Sequence, residues 1–280
     1  MPFWTKAARN CVAFVILVLL LNGCTTPPWL SPVERADYIT RDGNLKRSKV
    51  IAGEFLLTRY LSDNPTNSKL LTVYIEGDGA PWLSVKMPPR DPTPWNPIAL
   101  TLASKDQLYP VAYIARPCQY LTATELRTCD YKYWTRARFS PTIVNAINVA
   151  ISQSKVESGA EQLRLIGYSG GGVIASLVAA RRDDVDSLIT IASPLDIDAW
   201  TAFHKISPLS ESLNPMNFLV GLSRIRQAHL IGENDAVVPP DYMKAVQNRL
   251  PMARIIVVPG YKHECCWTEN WREWLPNDLR

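Results

Sequence analysis

Residues 163–172 read LRLIGYSGGG: a short apolar run ends in a serine set among glycines. Glycine lacks a Cβ, so it allows tight bends and close backbone approaches that other residues obstruct. An apolar run followed directly by glycines and then by an apolar, helix-compatible stretch predicts a strand that doubles back into a helix over 171–182. Ser169 stands at that bend, where its hydroxyl would project alone. The plain alternative is a glycine-rich turn that merely opens a helix.

Outward from the bend, short apolar runs alternate with helical patterns. The strand candidates are EFLLTRYL (54–61), LLTVYI (70–75), PVAYIA (110–115), LRLIG (163–167), SLITIA (187–192), AHLIG (228–232) and RIIVVP (254–259). Most are apolar at successive positions, as in a sheet covered on both faces. Helices are expected at 141–157, with proline in the first turn, at 171–182 and at 240–249. This alternation predicts an α/β fold with a mostly parallel central sheet and helices on both faces. Two stretches break it. Residues 80–97 are too rich in proline for a regular element, and 195–223 read as a small cap insertion. The aromatic-rich loops around Trp82, Trp95 and Trp134 are candidates for lining a pocket or for plain core packing.

Gly167-Tyr168-Ser169-Gly170-Gly171 has Gly-x-Ser-x-Gly spacing in a strand–helix context, the setting of a nucleophile elbow. A serine hydroxyl needs a base to take its proton and a group to orient that base. The chain has three histidines. His229 lies inside a strand pattern, which fits a buried structural imidazole, and His204 lies in the cap stretch, which fits a surface one. His263 follows the last strand on a loop, where it can reach a strand-end serine. Asp235, on the turn after AHLIG, is the candidate acid; its rivals are Glu233 on the same turn and Asp196 or Asp198 after the preceding strand. The backbone N–H of Gly170 is one candidate oxyanion donor. Asp78 in EGDGAPW is the other, with Gly79 as its alternative.

The chain begins with a basic head, an apolar run CVAFVILVLLL (11–21) and a small-residue exit, too short to span a bilayer and suited to a secretory signal. Leu21-Asn22-Gly23-Cys24 resembles the lipobox of bacterial lipoproteins, which implies acylation of Cys24, and Thr25 after it leans toward the outer membrane. The expected organisation is a signal at 1–23, a tether and N-terminal segment at 24–50, and one domain at 51–280 with the cap at about 195–223. An exported chain meets oxidising conditions, so Cys118, Cys129, Cys265 and Cys266 read as disulfide candidates. Cys118 with Cys129 is the simplest pairing, and cross-pairing to Cys265 and Cys266 stays open. No metal site is expected, since paired zinc spacings are absent. The net charge of +4 falls to +2 without Lys6 and Arg9 of the signal, so there is no electrostatic case for nucleic acid.

Residues 70–79, 163–171, 228–239 and 254–263 together resemble an α/β-hydrolase, and the N-terminus makes the chain similar to exported lipoproteins that carry this domain. The resemblance implies a serine hydrolase without cofactor, acting on a small-molecule or lipid acyl substrate. Ser169, Asp235 and His263 would form the triad of a carboxylesterase or lipase-like enzyme. Many relatives begin the oxyanion loop His-Gly, where this chain has Glu76-Gly77. The rival expectation is a catalytically silent envelope lipoprotein that keeps the scaffold for binding or maintenance. Lipid anchoring would place either one in the cell envelope, at the outer membrane facing the periplasm. Nothing in the sequence sets an oligomeric state.

Overall fold

In the computed structural model, which describes residues 29–63, 67–80, 87–108 and 110–279, eight strands form one sheet. They are β1 (Leu45–Ala52), β2 (Phe55–Ser62), β3 (Leu70–Ile75), β4 (Val111–Ile114), β5 (Gln162–Tyr168), β6 (Val185–Ile191), β7 (Arg226–Gly232) and β8 (Arg254–Val258). Their spatial order is β1-β2-β4-β3-β5-β6-β7-β8. The strands from β3 onward run parallel, and the β1–β2 hairpin joins β4 antiparallel at one edge. The helices are α1 (Pro32–Thr40), α2 (Ile98–Ser104), α3 (Pro141–Ser158), α4 (Gly170–Ala179), α5 (Ile197–Phe203), α6 (Leu219–Leu222) and α7 (Pro240–Arg249).

The apolar runs feed two cores, one on each face. Val73, Ile75 and Leu165 join the cluster packed under α3 and α4, while Tyr74, Ile166 and Tyr113 point to the opposite face and pack with Leu100 of α2 and Trp271. This follows from the period of two along a strand. Helix boundaries follow local chemistry. Ser140 caps α3 by accepting from Ile143 N–H, Pro141 fills its first position, and Gly159 ends it at φ 68°.

The folded body starts ahead of residue 51. Both α1 and β1 belong to it, with Ala36 and Ala52 fully buried. β1 reads LKRSKVIA, and its basic side chains make it look like a polar connection; charged edge strands resist pairing with another chain. The 195–223 stretch forms α5, a 3-10 turn at Pro215–Asn217 and α6, and it buries Leu195, Ile197 and Met216 in the core beside α4. The expected signal at 1–23, Cys24 and Trp82 lie outside the described residues. Among the described residues no helix is long and apolar enough to cross a membrane.

Every residue of α4 is buried, and its first turn lies against the end of β3. A Cβ on Gly171 would stand 2.2 Å from the carbonyl oxygen of Ile75 and 2.5 Å from that of Glu76. Alanine normally stabilises a helix relative to glycine. Here the sign reverses: Gly171→Ala should destabilise the fold by about 1–3 kcal/mol in urea unfolding, because backbone must move to admit the methyl group.

Candidate active site

Ser169 sits between β5 and α4 with φ 51° and ψ −124°, a left-handed backbone rare for a residue with a Cβ and worth of order 1–3 kcal/mol of strain. Its N–H donates to the carbonyl of Ile191 at the end of β6, 2.8 Å away, which pins the bend to the neighbouring strand. The hydroxyl is left facing a cavity of about 390 Å³.

The structure brings Ser169, His263 and Asp235 into one line. Ser169 Oγ lies 3.1 Å from His263 Nε2, and His263 Nδ1 lies 2.9 Å from Asp235 Oδ2. Asp235 is buried on the turn after β7, and its other oxygen accepts from the N–H groups of Val237 and Val238 at 2.8 Å. The His263 carbonyl accepts from Tyr168 Oη at 3.1 Å and Trp267 Nε1 at 2.9 Å, so the loop is held at backbone level.

The other histidines and acids are engaged elsewhere. His229 is fully buried between Thr190 Oγ1 and Gln227 Oε1, and burial lowers its pKa to about 3, which keeps it neutral. His204 is bonded to the Val237 carbonyl. Glu233 accepts from Gly260 N–H, and Asp196 and Asp198 share Asn214.

The loop after β3 carries Gly77, Asp78 and Gly79 over the first turn of α4. Gly170 is the first residue of that helix, where an N–H has no intrahelical carbonyl to meet. The side chain of Asp78, by contrast, is tied into a cluster that the sequence did not reveal. Its Oδ1 accepts from Arg116 Nη1 at 2.9 Å and its Oδ2 from Arg138 Nη1 at 2.8 Å, with both guanidinium groups buried. Burial pushes this carboxyl up, but the two guanidinium groups more than offset it and leave the group below the usual carboxylate range. Gln119 Nε2 holds the Gly77 carbonyl at 3.1 Å.

Glu76, 1% exposed, accepts from the N–H groups of Gly77, Ala99 and Leu100 and from Tyr113 Oη, so it caps α2, where Pro97 offers no side-chain cap. Arg116, Gln119 and Arg138 sit on the long connection between β4 and α3. In it Cys118 and Cys129 are disulfide-bonded, with Cα atoms 6.0 Å apart; Cys265 and Cys266 also pair with each other. One signal for the arginines was available: a carboxylate in a glycine-rich loop against a buried helix needs a cation.

The cavity is walled by Trp95, Phe139, Tyr168, Pro194, Trp200 and Val237. Trp200 comes from the 195–223 stretch and Trp95 from the proline-rich loop. Trp134 is buried and takes no part in the lining.

No protein-family model and no curated protein matches this sequence. Solved structures do. The protein Est1E from Butyrivibrio proteoclasticus is similar at 14% identity with TM-score 0.58, over 81% of this chain and 94% of that one. An esterase from Pyrococcus furiosus is similar at 16% identity and TM-score 0.56, over 82% and 86% of the two chains. An alpha-beta serine hydrolase homologue from Coxiella burnetii is similar at 15% identity and TM-score 0.55, over 84% and 97%. At these identities what is shared is the fold.

Two outcomes follow from the buried charges. Asp78→Ala strands two buried guanidinium groups and should destabilise the protein by about 3–5 kcal/mol in urea unfolding. Burial raises the Glu76 carboxyl from 4.5 to about 7, so the folded protein keeps a proton that the unfolded chain releases. That contribution is fully present below 4.5 and is lost as pH rises through about 7, amounting to about 3 kcal/mol. Glu76→Gln stays neutral throughout, so its stability relative to wild type should rise between pH 4.5 and pH 8; parallel unfolding curves at the two pH values check this.

Proposed function

We propose that this chain, which has the α/β-hydrolase fold, is a serine hydrolase that cleaves a carboxylic ester through an acyl-enzyme intermediate. Ser169 Oγ bonds to the carbonyl carbon as its proton passes to His263 Nε2. Asp235 holds the imidazole with Nδ1–H toward its carboxylate and stabilises the imidazolium. The tetrahedral intermediate collapses, the C–O bond to the alcohol breaks, and His263 returns the proton to that leaving oxygen. Water then attacks the acyl-serine with His263 again as base; the acid departs and Ser169 regains its proton. The N–H groups of Gly170 and Asp78 are the proposed donors to the oxyanion.

The observation that carries this reading is the continuous line from Ser169 Oγ to His263 at 3.1 Å and from His263 to Asp235 at 2.9 Å, inside a mostly apolar cavity. Such spacing suits proton transfer in both directions. An ester substrate is favoured because structurally similar proteins include an esterase. The cavity volume falls within the usual range for small ligands, about 300–1,000 Å³. The lipobox-like Leu21-Asn22-Gly23-Cys24 supports a lipid-anchored protein of the outer membrane, facing the periplasm.

Incubation with a fluorophosphonate should label wild type and leave Ser169→Ala unlabelled. Hydrolysis of p-nitrophenyl esters of graded acyl length should fall by about 10⁴-fold or more in kcat for Ser169→Ala. A folded wild-type protein that neither labels nor turns over any of these esters would leave the silent binding scaffold as the better account.

A further inference from the structure

The chain enters the fold at the edge of the sheet that carries Ser169. The described residues begin at Trp29, and α1 follows directly, with the Arg35 guanidinium over the Trp95 ring, 5.9 Å from its centroid. Trp95 lines the cavity that holds Ser169. From there α1 runs to the far edge: after Thr40 the chain passes into β1, whose first residue Leu45 pairs with Ser62, and Ser62 Oγ accepts from the N–H of Val111 at the start of β4. The point of entry and the catalytic mouth therefore share one edge.

Three large aromatic side chains are exposed on that edge. Trp29 is 81% exposed, Trp95 59% and Phe203 58%. Phe203 lies edge-on to His204, whose ring is bonded to the Val237 carbonyl on the cavity wall. Of these Trp95 lines the cavity, and aromatic side chains suit the boundary between headgroups and acyl chains.

We infer that this edge docks on the lipid surface to which the N-terminus is attached, so that the mouth takes acyl lipid from that surface. The inference rests on Ser169 as the reactive centre and on Cys24 as the anchored residue. Chain length restricts the orientation. From Cys24 to Trp29 the backbone reaches at most about 18 Å when fully extended, and a folded body of this size is roughly 45 Å across. An anchored protein cannot turn its far edge to the bilayer on so short a tether.

The test is hydroxyl-radical footprinting of the acylated protein on phosphatidylcholine vesicles, each residue's rate being normalised to its rate in the urea-unfolded chain. Val156, near the end of α3, and Met252, just before β8, are 81% and 83% exposed and lie at the far edge, so they serve as internal references. Trp29, Trp95 and Phe203 should be modified at least about fivefold less than these two. Equal rates would overturn the docking face, as would a protein that fails to float with the vesicles. Protection that appears without vesicles and grows with protein concentration would assign the face to a second copy and also overturn it. Fluorophosphonate labelling of Ser169 in the same sample reports the hydrolase reading separately, because protection of the rim does not depend on turnover.

Discussion

At the turn between β5 and α4 the backbone comes so close to its neighbours that side chains are excluded at positions 167, 170 and 171. A Cβ on Gly167 would meet the Gly171 carbonyl at 2.4 Å, and one on Gly170 would meet Asp78 Oδ1 at 2.1 Å. Together with the approach of Gly171 to the end of β3, this sets the helix start, the loop after β3 and Ser169 in one rigid block. A hydroxyl on a strained but immobilised bend keeps its direction, and the proposed proton transfer to His263 at 3.1 Å depends on that direction. The line to His263 and Asp235 is built outward from this block by β7 and β8, which lie beyond β6 in the same parallel sheet.

The loop over α4 is fixed by two carboxyl groups, Glu76 and the ionised Asp78, that pull it opposite ways. Glu76 reaches toward α2 and Tyr113, while Asp78 reaches across to Arg116 and Arg138. Two guanidinium groups against the Asp78 carboxylate leave that cluster with a net positive charge beside the first turn of α4. In a site partly closed to water, such a charge would favour the oxyanion of the proposed mechanism. Buried ion clusters are seldom retained for stability alone, since desolvation offsets much of the attraction. Positioning of the loop gives this one a reason to persist.

How far the sequence reveals this arrangement depends on the range of each interaction. Strands β2 to β8 announce themselves through apolar runs covered on both faces, and Ser169, Asp235 and His263 through their places at strand ends. β1 does not, because an edge strand with Lys46, Arg47 and Lys49 lacks the apolar signal that burial imposes. The arginines on Asp78 stand 38 and 60 residues away, on a connection with neither strand nor helix periodicity, and only folding brings them together. The cap reading of 195–223 captured its break from the alternation but not its packing, since Leu195, Ile197 and Met216 return to the core.

Tyr168 is the second residue of the Gly-x-Ser-x-Gly stretch, a place the pattern leaves open to any side chain. In this fold it is not open. Its hydroxyl bonds to the carbonyl of His263, and its ring lies 5.6 Å from the imidazole. Trp267 donates to the same oxygen from the opposite direction in the chain. Residues 168 and 267 therefore anchor one loop carbonyl together, so the posture of the His263 loop depends on two side chains that the pattern does not specify.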